Sequence, residues 1–191
     1  KNISDNKKNK YILDWKIDNE KFSILLPGRL TPWKGQEMFI ESLNILIEDF
    51  NKNNFQAIIL GSDQGRNVYS KRLYSLTQRY RLNNKIKFIK SCKEMPNAYA
   101  LSDVVVSSSI EPEAFGRVAV EAQAMEKPIV ASDIGGSKET IVKDKSGFLY
   151  KAGDPRELAK VLNKVMELDK ETLQSVGMEG RKNVSKKFDV E

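Results

Sequence analysis

The sequence predicts an α/β fold: one open parallel sheet of about six strands, with helices on both faces. Two observations carry this. Short apolar, β-branched runs alternate along the chain with longer stretches whose apolar residues recur at helical spacing. Most of the runs are apolar throughout, which suits strands covered on both faces. The 191 residues fit one domain and, at 40% hydrophobic, hold enough apolar side chain for a real core.

Residues 1–20 read as a linker or an entry segment. Lys7, Lys8 and Lys10 stand among Asn and Asp, and only Tyr11, Ile12, Leu13 and Trp15 are apolar enough to pack. The domain is then 21–191. Residues 22–28 (FSILLPG) form a buried strand with a Pro-Gly exit. Residues 36–50 follow as a helix through Met38, Phe39, Leu43, Leu46, Ile47 and Phe50. Residues 55–61 (FQAIILG) repeat the strand, and 68–82 form a basic helix. Residues 85–90 (KIKFIK) alternate, as a strand nearer an edge does. A short helix over 95–101 precedes 103–109 (DVVVSSS), a β-branched strand ending in hydroxyls. Residues 116–125 are helical, 127–132 a strand, 136–142 a short helix and 147–150 a last short strand. Asp154 and Pro155 signal a helix start by N-cap and first-position proline, over 155–168. Residues 173–187 form the final helix. The whole is a Rossmann-like unit.

Composition excludes several chemistries. One cysteine, Cys92, rules out a disulfide framework and a cysteine-based zinc site. The absence of histidine removes the Ser–His–Asp triad and the HExxH site from this chain. No apolar run approaches the ~20 residues of a membrane span. The first ten residues are polar and unlike a secretory signal, so a cytoplasmic setting is expected. A net charge of +6 is compatible with an anionic ligand, but on charge alone a soluble lysine-rich surface is the better reading.

In such a sheet, ligands bind outside the carboxyl ends of the strands. Three stretches stand there. PGRLTPWKG (27–35) puts Arg29 and Lys34 on one strand-to-helix loop, an anion clamp whose Gly28 and Gly35 admit a ligand close to the backbone. It matches neither the dinucleotide fingerprint nor the P-loop. EPEAFGRVAVEA (111–122) carries Glu113 in a loop and Glu121 inside a helix, spaced E-x7-E. The amides of Gly116, Arg117 and Val118 at that helix start favour a phosphate, and the carboxylates can accept sugar hydroxyls. ASDIGGSKE (131–139) offers Gly135–Gly136 as a further amide turn, with Glu139 as a brace. No D-x-D occurs, and the proline-stiffened pair Glu111 and Glu113 suits a metal poorly. A diphosphate would therefore be neutralised by Arg29, Lys34 and helix amides, with no metal or other cofactor.

Together, GRLTPWKG, PEAFGRVAVEA and PIVASDIGGSKE resemble glycosyltransferase family 4, the retaining, nucleotide-sugar-dependent group with the GT-B fold. The resemblance runs over residues 22–188. It implies that this chain is the C-terminal, donor-binding domain, and that an N-terminal acceptor domain is absent from it. It implies Arg29 and Lys34 on the donor diphosphate, Glu113 at the transferred sugar and Glu121 at the ribose. Amides from Phe115 to Val118 would serve sugar and phosphate. Ile89 would flank the nucleobase, and Gly61 would border the same cleft. The acceptor would be a glycan or lipid-linked molecule in cell-envelope polysaccharide or lipopolysaccharide synthesis, with peripheral contact at the inner face of the membrane. By itself the chain is expected to bind nucleotide sugar without turnover.

Rival classes are a non-catalytic sugar-nucleotide module, half of a GT-B epimerase, and a nucleic-acid binder. The last would use the basic helix, where Tyr69, Tyr74 and Tyr80 interleave with Lys71, Arg72, Arg79 and Arg81. A solvated helix with its tyrosines packed on the sheet accounts for the same pattern, so no nucleic-acid partner is expected.

Overall fold

Apolar runs buried on both sides become parallel strands. In the computed structural model, which describes residues 5–65 and 67–188, the strands are β1 (Phe22–Pro27), β2 (Phe55–Leu60), β3 (Ile86–Ile89), β4 (Val104–Ser107), β5 (Ile129–Ser132) and β6 (Phe148–Tyr150). They form one sheet in the order β3-β2-β1-β4-β5-β6, every pairing parallel. β3, with its alternating lysines, takes an edge as expected.

Successive strand residues face opposite sides, so the sheet has two cores. Ile24, Leu26, Ala57 and Ile59 point to one face. There they meet α2 (Gln36–Glu48), α3 (Asn67–Arg79) and α7 (Pro155–Met166), through Phe39, Leu43, Leu73, Leu158 and Leu162. Leu25, Ile58, Val105 and Ala131 point to the other face. They meet α4 (Met95–Ala100) and α5 (Arg117–Ala124), through Ala98, Tyr99, Ala119 and Ala122. The short α6 (Gly135–Thr140) follows β5, and α8 (Lys170–Phe188) packs along α5.

The lead-in, expected as a linker or entry segment, is helical and then packed over its described part. Residues 5–14 form a helix, α1 (Asp5–Asp14), and Trp15 and Ile17 are buried in the second core. Tyr11 meets Trp15 edge to face, with ring centroids 5.2 Å apart. Beyond it, Gln56 on β2 holds the chain by donating to the Asp18 carbonyl and accepting from the Asp18 amide. Asn9 and Lys10 are exposed, while Tyr11 and Ile12 pack against the second core. Leu13, expected to pack, is exposed. Residues 1–4 of the expected linker and 189–191 of the expected domain lie outside the described residues.

Most helices end a few residues before the expected position, α3 at Arg79 rather than 82, and two of the shifted boundaries have a local reason. α8 starts at Lys170, because Asp169 caps it by accepting from the Thr172 amide at 2.7 Å. β4 stops at Ser107, because Ser108 and Ser109 turn out of the ladder to serve loops described below. Two tyrosines of the basic stretch pack inward, and the third stays exposed on the sheet edge. Tyr69 and Tyr80 lie against the first core, and Tyr74 rests on Phe88 of β3.

Candidate functional site

Strand order reverses between β1 and β4, which leaves a crevice at their carboxyl ends. A cleft of about 760 Å³ opens there. Its walls come from the loops after β1 and β4, from the first turns of α5, and from Met95 and Tyr99 of α4.

The β1 loop is shaped by a 3₁₀ turn, Pro32–Lys34, and by Gly35. Gly35 sits at φ 70°, and a Cβ there would lie 1.9 Å from the Ser108 carbonyl oxygen. The β1 and β4 loops thus touch backbone to backbone at this point. Hydrogen bonds stitch them further. Ser108 Oγ donates to the Lys34 carbonyl at 2.8 Å, and the Ile110 amide to the Trp33 carbonyl at 2.8 Å. Gln36 fastens the clamp from α2 by donating to the Arg29 carbonyl at 2.8 Å.

Lys34 Nζ lies 2.7 Å from Glu113 Oε2, and the two side chains are only 13% and 15% exposed. The ammonium also stands 4.5 Å from the centre of the Trp33 ring. The other Glu113 oxygen, Oε1, accepts from Ser109 Oγ, itself buried. Arg29 stands on the same wall.

Gly116 is the N-cap of α5 at φ 69°, and no side chain caps this helix. Gly116, Arg117 and Val118 line the cleft, so the amides that head the helix are offered to it. One turn on, Glu121 is held twice. Tyr99 donates to its Oε2 at 2.7 Å, and Arg117 Nε lies 3.5 Å from its Oε1. Burial first, and the Glu121 hydrogen bond second, push the Tyr99 phenol far above its ordinary pKa. It therefore stays a proton donor at any physiological pH.

Gly28, Arg29, Lys34, Glu113, Phe115, Gly116, Arg117, Val118 and Glu121 all meet at this cleft. Gly61 and Ile89 do not stand on its wall. Gly61 lies behind Gly28, with its amide on the Ile89 carbonyl at 2.8 Å. The Gly135–Gly136 turn is a brace: the Gly136 amide donates to the Glu113 carbonyl at 2.7 Å, behind the cleft. Phe115, half exposed at the rim, meets Phe188 of α8 edge to face at 5.3 Å. Tyr99, Ser109 and Trp33 were missed as site residues. The only signals for them were the run of serines ending β4 and the position of Trp33 beside Lys34. Among the described residues, no three His, Cys, Asp or Glu side chains gather to hold a metal ion. None of the described helices is long and apolar enough to cross a membrane.

The family model described as "Glycosyl transferases group 1" matches residues 7–183. The chain belongs to the group 1 glycosyltransferases. A curated relative, the capsular polysaccharide biosynthesis glycosyltransferase CapM of Staphylococcus aureus, is 30% identical over 91% of this chain and 44% of its own length. A D-inositol 3-phosphate glycosyltransferase of Corynebacterium urealyticum is 32% identical over 74% of this chain and 34% of its own. The chain thus spans less than half the length of these curated glycosyltransferases. Among solved structures, a glycosyltransferase of Rickettsia africae superposes with TM-score 0.91 at 30% identity, over 98% of this chain and 48% of that one. Anabaena HepE, solved in complex with UDP-glucose, superposes at 0.88 with 31% identity, over 98% and 50%. The fold is that of the C-terminal domains of GT-B glycosyltransferases.

Proposed function

We propose that this chain is the donor-binding domain of a retaining family 4 glycosyltransferase, which moves a sugar from a nucleoside-diphosphate sugar to a glycan or lipid-linked acceptor. The observation that carries it is the juxtaposition, at the switch point of the sheet, of Arg29, the Lys34–Glu113 pair and the uncapped start of α5. Two cations and a helix N-terminus suit a diphosphate, and two carboxylates suit the hydroxyls on either side of it. The UDP-glucose complex of HepE makes UDP the first base to try. The name of CapM favours cell-envelope polysaccharide, and on this reading the enzyme works in the cytoplasm at the inner face of the membrane.

In this mechanism the diphosphate departs onto Arg29, Lys34 and the α5 amides, without a metal ion. The sugar passes through an oxocarbenium-like state, and the acceptor attacks from the face the diphosphate leaves. Glu113 orients the sugar and Glu121 the ribose. A second domain supplies the acceptor site, so this chain alone binds donor without turnover. Calorimetry with UDP-, GDP- and ADP-sugars tests the reading. Binding to one base, weakened by Lys34→Ala, is the expected result; no binding to any of the three would overturn it. In the two-domain enzyme, Lys34→Ala should slow transfer by about 10²–10³-fold, and a near-normal rate would remove Lys34 from the mechanism.

A further inference from the structure

The two carboxylates of the cleft are held in the same way. Each gives one oxygen to a buried hydroxyl and the other to a cation that lines the cleft. Glu113 takes Ser109 Oγ on Oε1 and Lys34 Nζ on Oε2. Glu121 takes the Tyr99 hydroxyl on Oε2 and Arg117 Nε on Oε1. Ser109 and Tyr99 are 3% and 1% exposed, and neither belongs to the strand-end motifs that mark the site.

From this repeated arrangement we infer that Ser109 and Tyr99 are positioning residues, Ser109 for the carboxylate facing the sugar and Tyr99 for the one facing the ribose. The inference rests on the donor-binding reading above.

The physical case is one of direction. A carboxylate has two equivalent oxygens and a freely turning terminal torsion. A cation alone fixes its distance and leaves its plane free. A hydroxyl fixed in the core removes that freedom, because a buried donor left without its acceptor is costly. Tyr99 is anchored in the second core beside Ala98, and Ser109 sits where β4 has just left the sheet. Both hydroxyls are thus held by buried residues of the scaffold, Tyr99 at the cleft and Ser109 behind it, while Lys34 and Arg117 are the cations that a ligand meets. A ligand phosphate or hydroxyl can then compete for each cation without releasing the carboxylate.

The hydroxyls should therefore act on different parts of one ligand. Tyr99→Phe should weaken UDP and UDP-glucose equally, by roughly five- to tenfold. It should leave 2′,3′-dideoxy-UDP unchanged, because the group that Glu121 serves is then missing. Ser109→Ala should weaken UDP-glucose by a similar factor and leave UDP unchanged. A general loosening of the fold would lower all three affinities together, and that result overturns the inference. Glu121→Gln and Glu113→Gln, run beside them, separate the two levels. If these carboxylate variants bind every ligand normally, the donor-binding reading of both glutamates fails. If they lose affinity in the same crossed pattern while Tyr99→Phe and Ser109→Ala bind normally, the glutamates stand and the positioning roles fail. Thermal melts check that each variant is folded. A melt that rules out Tyr99→Phe leaves the Ser109 arm to decide. Where UDP does not bind the unaltered chain, GDP and ADP with their glucose derivatives replace it, and failure of all three overturns both readings.

Discussion

Lys34 and Glu113 show how one pair serves both fold and chemistry. Both are mostly buried, so removing one strands the other in poor solvent. Lys34→Met should cost about 1–3 kcal/mol of stability, the penalty of a carboxylate left with Ser109 alone. For a chain of this size that is a melting temperature lower by about 2–4 °C per kcal/mol. Adding Glu113→Gln removes the stranded charge and should recover much of the loss, while donor affinity stays low. Melting curves and calorimetry on the two single variants and the double check this; losses in melting temperature that simply add would show that the pair is not coupled. Arg29, Lys34, Glu113 and Glu121 were legible in the sequence because they follow strand ends at recognisable spacing. Tyr99 was not, because its partner lies 22 residues away on a different helix. A hydroxyl carries no sign of which carboxylate it will meet.

At the scale of elements, two substitutions should separate bracing from capping. Gly136 belongs to the turn that supports the site loop, and a Cβ there would lie 2.2 Å from the Phe115 carbonyl carbon. Gly136→Ala must therefore force the α6 turn and the loop of Glu113 to Gly116 apart. We expect a stability loss of about 1–3 kcal/mol, as for other overpacking, with donor binding lost as well. Asp154 caps α7, accepting from the amides of Arg156 and Glu157 at 3.1 and 3.0 Å. Asp154→Ala should cost about 1 kcal/mol and leave donor affinity intact, since α7 packs on the first core, away from the cleft wall. Equal effects of the two variants on binding would refute the brace. Strands and most helices were legible, since periodicity and caps are local. The α1 helix was not: its apolar face is narrow, and Tyr11 and Ile12 become worth ordering only against the second core and α4. The brace was half legible, as a Gly-Gly turn after a strand, but its target lay in tertiary contact.

At the scale of the molecule, the site joins the two halves of the sheet. One wall leaves β1, whose side of the sheet continues through β2 to β3; the other leaves β4, whose side continues through β5 to β6. The sequence announced six strands and their parallel sense, and the ligand rule placed the chemistry at their carboxyl ends. It did not announce the strand order, because crossovers are settled by packing. The +6 charge was silent too, since most of it is solvated and the cations that matter are placed by loops. A ligand that bridges the halves should stabilise the fold as a unit. At about one hundred times its Kd, a donor adds about 2.7 kcal/mol, which raises the melting temperature by roughly 5–11 °C. Amide exchange should then slow both in residues 28–35 and in residues 112–121, because the ligand closes on each wall. Arg29, Lys34 and the α5 amides carry the diphosphate in the proposed mechanism, so EDTA should leave both effects unchanged. Protection confined to one wall would place the ligand elsewhere. A thermal shift that EDTA abolishes and magnesium restores would show that the two cations do not suffice, and the metal-free mechanism would fall.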